Sequence, residues 1–143
     1  MTSSRSDTSE PEARVRAILR GVDYADADLR DARGAYEIEQ VCALLQEAPR
    51  AIDMRIDEGS LLALPRPGGR RWFPKLQFRD DGGVIAGLRE VQEALGYANP
   101  YAVLNFLVSL DDRLGDERPI DVLRRGDLAR VLESARLIGV QGA

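Results

Sequence analysis

There is no histidine anywhere in this chain, and only one cysteine, Cys42. The first absence removes Ser-His triads, imidazole metal ligands and the commonest general base. The second removes an internal disulfide and a cysteine zinc site, and it fits a reducing cytoplasm. Cys42 itself reads as a small buried side chain, since no His or flanking Lys lowers its thiol pKa. Lysine is nearly absent too: of twenty basic residues only Lys75 is not Arg, a pattern of coding bias rather than chemistry. No apolar run approaches the roughly 18 residues of a membrane span, and the polar N-terminus lacks the apolar core of a signal peptide. GLREVQEALG has glycines at its ends but neither G-x-G-x-x-G spacing nor a Walker lysine. Asp111-Asp112 reads as a solvated loop rather than a paired acid and base. The expectation is a protein that is not an enzyme and takes no metal or cofactor.

What is present is 143 residues of ordinary globular composition, 44% hydrophobic and 31% charged, enough for one compact domain or two very small ones. The net charge of −4 argues against indiscriminate DNA binding by the whole chain. Its distribution is uneven. Residues 1–35 carry six Arg and seven acids, residues 36–80 seven bases and seven acids, and residues 81–143 seven Arg and ten acids. Within the middle stretch Arg66, Arg70, Arg71, Lys75 and Arg79 follow one another with no acid between them.

Residues 1–12 (MTSSRSDTSEPE) read as a disordered tail. Residues 13–35 suggest N-terminal helices: Val15, Ile18 and Leu19 recur at helical spacing, and a weaker helix runs from Val22 to Arg33 before Gly34 breaks it. YEIEQVCALL places Ile38, Val41, Leu44 and Leu45 on one stripe, with Glu37 and Glu39 in the first turn. Pro49 then opens PRAIDMRIDE, which Gly59 stops. Two short helices with a tight connection predict a helix-turn-helix. SLLAL, PRPGG and RRWFP predict strand, turn, strand, with Pro74 ending the second strand. Trp72, Phe73 and Phe78 read as core anchors. Further helices are predicted at Val84–Leu95, Tyr101–Leu110, Ile120–Leu123 and Asp127–Leu137. The helix at Tyr101–Leu110 is apolar nearly all round, which means core or interface, and it motivates a homodimer or a complex. The fold class is therefore mainly α: a winged helix-turn-helix over 36–80 and a helical domain over 81–143.

Two stretches carry a resemblance. IEQVCALLQEAPRAIDMRIDEGSLLALPRPGGRRWFPKLQF resembles the MerR/excisionase-like helix-turn-helix-wing segment. NFLVSLDDRLGDERPIDVLRRGDLARVLESA resembles the toxin-binding domain of the Xre/MbcA/ParS antitoxins, through Phe106-Leu107, Leu114-Gly115, Pro119, Asp121, Leu123, Gly126-Asp127 and Val131. Together they span about residues 36–138. Gln46 stands where the turn usually holds a glycine, and Asp116 where the antitoxin loop usually has a second one.

The resemblance implies an antitoxin that binds a RES-domain toxin, an enzyme that consumes NAD or transfers ADP-ribose, and covers its active site. The toxin-binding residues would be Leu114, Gly115, Pro119, Asp121, Leu123, Gly126, Asp127, Arg130 and Val131. The same family often represses its own operon, as a dimer. The rival expectation is a DNA-binding regulator with no toxin. Its contacts would come from Arg50, Asp53, Met54, Arg55, Arg66, Arg70, Arg71 and Lys75, with an affinity that falls steeply with salt. Helix capping is the first account of Asp121 and Asp127, and Pro119 and Gly126 are most simply turn residues.

Overall fold

Residues 26–31 form a first helical stretch, α1, in the computed structural model, which describes residues 26–142. The expected tail over 1–12 and the helix expected around Val15–Leu19 lie outside the described residues. α1 gives way to Arg33 and Gly34, both left-handed at φ 66° and 88°. The chain then enters a two-residue strand, β1 (Ala35–Tyr36). Helix α2 (Ile38–Leu45) follows, its start tied by the Glu37 amide, which donates to Gln40 Oε1 at 2.9 Å. Gln46 ends it in a left-handed conformation, φ 54°, the place a glycine would normally take. α3 (Pro49–Asp57) begins on its proline, whose missing N–H costs nothing at a first helical position.

The next four residues, Leu61 to Leu64, are all buried, and they divide by alternation. Leu61 and Ala63 join Val41, Ile52, Phe73 and Phe78 in a small core beneath α2 and α3. Leu62 and Leu64 join a larger core built mostly by the C-terminal helices. β2 (Leu64–Pro65) and β3 (Arg71–Pro74) pair antiparallel, with Leu64 opposite Trp72, and β1 pairs with the other edge of β3. The sheet order is β1-β3-β2. Gly68 and Gly69, at φ 78° and 75°, make the turn of the β2–β3 hairpin. The strands are shorter than SLLAL and RRWFP suggest, because a buried side chain replaces part of the ladder. The amide of Gln77, fully buried, accepts from Leu62 N–H at 2.7 Å and donates to Leu62 C=O at 2.8 Å and Pro74 C=O at 3.1 Å.

α4 (Leu88–Ala94) starts later than the pattern from Val84 predicts. Gly87 at φ 101° is not helical, and Val84 instead bridges Phe78 while the Ile85 amide donates to Gln77 C=O. α5 (Pro100–Val108) is capped by Asn99, whose side chain accepts from the Tyr101 amide. Its Val103, Leu104, Phe106, Leu107 and Val108 are all buried within this one chain. α6 (Pro119–Arg124) and α7 (Leu128–Gly142) complete the larger core. α7 runs past the expected stop at Leu137 because Gly139 lets it approach α4: a β-carbon there would lie 2.5 Å from the Ala94 carbonyl oxygen. The chain is mainly helical with one small antiparallel sheet among the described residues, and no described helix is long and apolar enough to cross a membrane.

The buried Gln77 amide generates the first prediction. Gln77→Leu leaves the Leu62 N–H and C=O without partners in an apolar setting, and each orphan costs about 1–3 kcal/mol. Urea denaturation should show a loss of about 3 kcal/mol with an unchanged slope, whereas Met54→Ala, at a side chain that is 64% exposed, should change stability little.

Candidate functional site

The connection from α2 to α3 is held by one bidentate ion pair. Arg55 Nε and Nη2 donate to the two carboxylate oxygens of Glu47 at 2.8 and 2.6 Å. The hydrogen bond from Arg55 holds the Glu47 carboxyl below its ordinary value, and the same bond raises the Arg55 guanidinium. Arg55, expected from the sequence as a contact residue, is thus committed to fixing the turn. The outer face of α3 is made by Arg50, Asp53, Met54 and Asp57, all exposed.

The β2–β3 hairpin lies against that face. Arg71 Nη1 donates to Asp53 Oδ1 at 2.6 Å, tying the hairpin to α3. Arg70, at the hairpin's outer edge, pairs with Glu37 at the head of α2, and that bond raises the Arg70 guanidinium. Arg66 lies over the Trp72 ring, 3.6 Å from its centre, in cation–π contact. Trp72 is therefore half core anchor and half platform. Behind it, Tyr101 of α5 donates its hydroxyl to the Pro65 carbonyl, and burial raises the phenol's pKa. Lys75 stands apart, beyond the far end of β3, 5.0 Å from the Tyr36 ring centre. Of the eight expected contact residues, Arg50, Asp53 and Met54 stand on the outer face of α3, Arg71 is tied to that face through Asp53, and Arg66 and Arg70 stand elsewhere on the hairpin, on Trp72 and Glu37. Arg55 lies below that face and Lys75 away from it. Glu37 and Glu47, which position two of the arginines, are absent from that expectation because helix-start and turn acids carry no sequence signal of a distant partner.

The second expected set, in the C-terminal half, divides by burial. Leu114, Pro119, Leu123 and Val131 are interior, with Val131 fully so, and their side chains pack the chain's own core rather than offering a surface. Gly115 and Gly126 are exposed and left-handed, at φ 71° and 87°. Asp121 receives Arg118 Nε at 3.0 Å and Nη2 at 3.2 Å, and Asp127 lies 3.9 Å from Arg130. On the same half, an open apolar groove of about 700 Å³ runs between the end of α4, α5 and α7. Leu110, 71% exposed, and Ile138 stand on its edge. Among the described residues no three Asp, Glu or Cys side chains are grouped to hold a metal ion.

No family model matches the chain. No curated protein matches it either. Among solved structures it is similar to the NMR structure of Rv2175c, at 24% identity over 73% of this chain and 80% of that one, with a TM-score of 0.63. At that identity the likeness concerns the fold alone.

The Glu47–Arg55 pair yields a pH prediction. Glu47 is held below its unfolded value, so the pair contributes stability above the unfolded pKa and loses it as pH falls through the folded one. Both side chains are partly exposed, so the gain is at most about 1 kcal/mol. Denaturation midpoints from pH 7 down to about pH 3 should fall more steeply for the native chain than for Arg55→Gln.

Proposed function

We propose that the protein is a DNA-binding regulator that reads duplex DNA as a winged helix-turn-helix, with α3 in the major groove and the β2–β3 hairpin against the phosphates. The observation that carries this reading is the Arg71–Asp53 contact, which makes α3 and the hairpin one surface. The hairpin contributes Arg66, Arg70 and Arg71 to it, with no carboxylate of its own between Gly59 and Arg79. Arg50 stands on α3 and Arg66, Arg70 and Arg71 on the hairpin, and guanidinium groups suit phosphate oxygens through their paired donors.

The carboxylates shape how such a surface works. Glu37 and Asp53 hold Arg70 and Arg71 in place while the protein is free. A duplex phosphate competes for the same donors, so each contact exchanges one anionic partner for another and the gain per contact is modest. Asp53 and Asp57 on the α3 face repel phosphates at non-cognate sequence, while a carboxylate can accept from the exocyclic amine of cytosine. Weak general affinity with a penalty against wrong sites is the behaviour expected of a selective reader.

A second reading, an antitoxin that covers the active site of a RES-domain toxin, is favoured by the uncovered apolar groove at Leu110 and Ile138. Protein partners bury such edges. In that reading Gly115, Asp121, Gly126, Asp127 and Arg130 would form the contact surface, and Leu114, Pro119, Leu123 and Val131 would set its shape. Co-expression with the product of the neighbouring gene decides it: stable capture that Leu110→Asp abolishes supports the inhibitor, and no capture removes it.

For the regulator, fluorescence anisotropy with a labelled duplex provides the test. Arg70→Gln and Arg71→Gln should each weaken binding about 3–10-fold, and each should flatten the salt dependence by about one unit of slope. Asp53→Asn should tighten binding to non-cognate duplex. Unchanged affinity in both arginine variants would refute the surface.

A further inference from the structure

Beyond the end of β3 that lies away from the hairpin turn, a cleft of about 390 Å³ opens between Tyr36 of β1, the segment from Lys75 to Gly82 and α6. Its floor is apolar, with Leu76, Phe78 and Ile120. Around it stand Arg33, Lys75, Arg79, Arg118 and Arg124, with Tyr36 at the mouth. Three carboxylates share the lining, Asp31, Asp80 and Asp121, and Asp81 pairs with Arg79 at its rim, so five cations stand against four acids.

The pairings within the cleft decide how much of that charge is available. Asp121 is taken up by Arg118 through two hydrogen bonds, and Arg118 also donates to the Asp31 backbone carbonyl at 3.1 Å. Arg79 pairs with Asp81 in its own loop. Arg124 donates one guanidinium N–H to the Leu76 carbonyl, which fixes the side chain across the floor without neutralising it. Lys75 is held at the mouth by the Tyr36 ring, and its amide donates to the Gly34 carbonyl at 2.9 Å. Arg33 reaches the cleft from a left-handed backbone, φ 66°, which side-chain-bearing residues avoid. Among the described residues, Arg33, Lys75 and Arg124 have no carboxylate partner, and Asp31 and Asp80 of the lining have no cation partner, so one positive charge is left over once the paired groups are set aside. Three such cations arranged over an apolar floor, with an aromatic edge, match a ligand that carries a phosphoryl group on a partly apolar body.

We infer that this cleft binds a small phosphorylated molecule. A duplex phosphate is the other source of the same chemistry, and the topology disfavours it. β3 runs from Arg71, beside the hairpin turn, to Pro74, and the cleft begins at Lys75 beyond its far end. A duplex resting on α3 and the turn at Gly68-Gly69 leaves that end clear. The inference stands independently of duplex binding, although β3 physically joins the two sites.

The test is an NMR titration of the full chain with inorganic phosphate, against sodium chloride at matched ionic strength. Saturable shifts are expected at the amides of Gly34, Lys75 to Gln77 and Ile120 to Arg124 with phosphate and not with chloride. Arg33→Gln and Lys75→Gln should each weaken phosphate binding by about fivefold or more while leaving the rest of the amide spectrum in place. Shifts that do not saturate, or that chloride reproduces, would overturn the site. A parallel titration with a short duplex separates the sources. Cleft amides that respond to duplex and not to phosphate would reassign the cations to DNA and overturn the small-molecule site.

Discussion

The buried amide of Gln77 is the constraint on which the arrangement of the two cores depends. Leu61 to Leu64 contribute side chains alternately to both cores, so that segment has no face turned to water. Its peptide groups must then be satisfied inside the protein. A regular strand partner would do this by backbone pairing. Here one side chain offers an acceptor and a donor to Leu62 and a second donation to Pro74, spanning the place where the ladder stops. Because Gln77 follows β3 directly, the same contact fixes the hairpin to the segment that leaves α3. The small core under α2 and α3 and the larger helical core are thereby joined across one narrow layer.

On that fixed frame the cations of the middle stretch have separate duties. Arg55 is an internal brace, closing the α2–α3 turn on Glu47. Arg71 and Arg70 are external side chains parked on Asp53 and Glu37, and Arg66 is parked on Trp72. Arg124 is a strut to Leu76, and Lys75 and Arg33 face a different opening. A run of bases that looks uniform in sequence thus divides between the hairpin, at Arg66, Arg70 and Arg71, and the cleft, where Lys75 and Arg79 meet Arg33 and Arg124 from outside the run. Two of the exposed hairpin arginines, Arg70 and Arg71, have an acid beside them in space though distant in sequence.

Much of the local structure was legible in the sequence. Pro49 and Gly59 bound α3, Asn99-Pro100 opens α5, and the apolar circumference of α5 corresponds to five buried residues in this chain's own core. The pairing of PRPGG with two flanking strands follows from turn chemistry. β1 was not legible, because Ala35-Tyr36 is two residues long and becomes a strand only by lying on Phe73 and Pro74. The late start of α4 was hidden because Val84 and Ile85 continue a helical period but are captured by Phe78 and Gln77 instead. Among site residues, Met54 and Arg50 were readable as outward positions on a helix wheel. The interior placement of Leu114, Leu123 and Val131 follows from apolarity alone, and motif position says nothing about it. Gln77 carried no signal at all, since an amide in a polar-looking loop and an amide clasping a buried strand are identical in sequence.

The central claim, that α3 and the hairpin form a phosphate-contacting surface, is tested most directly by the salt dependence of duplex binding by the unmodified chain. Four arginines, Arg50 on α3 and Arg66, Arg70 and Arg71 on the hairpin, are the proposed contacts, and each phosphate contact contributes about −0.9 to the slope of log affinity against log salt. A slope of about −3 to −4 is expected for a duplex oligonucleotide. A slope near zero, or no measurable binding at low salt, would contradict it.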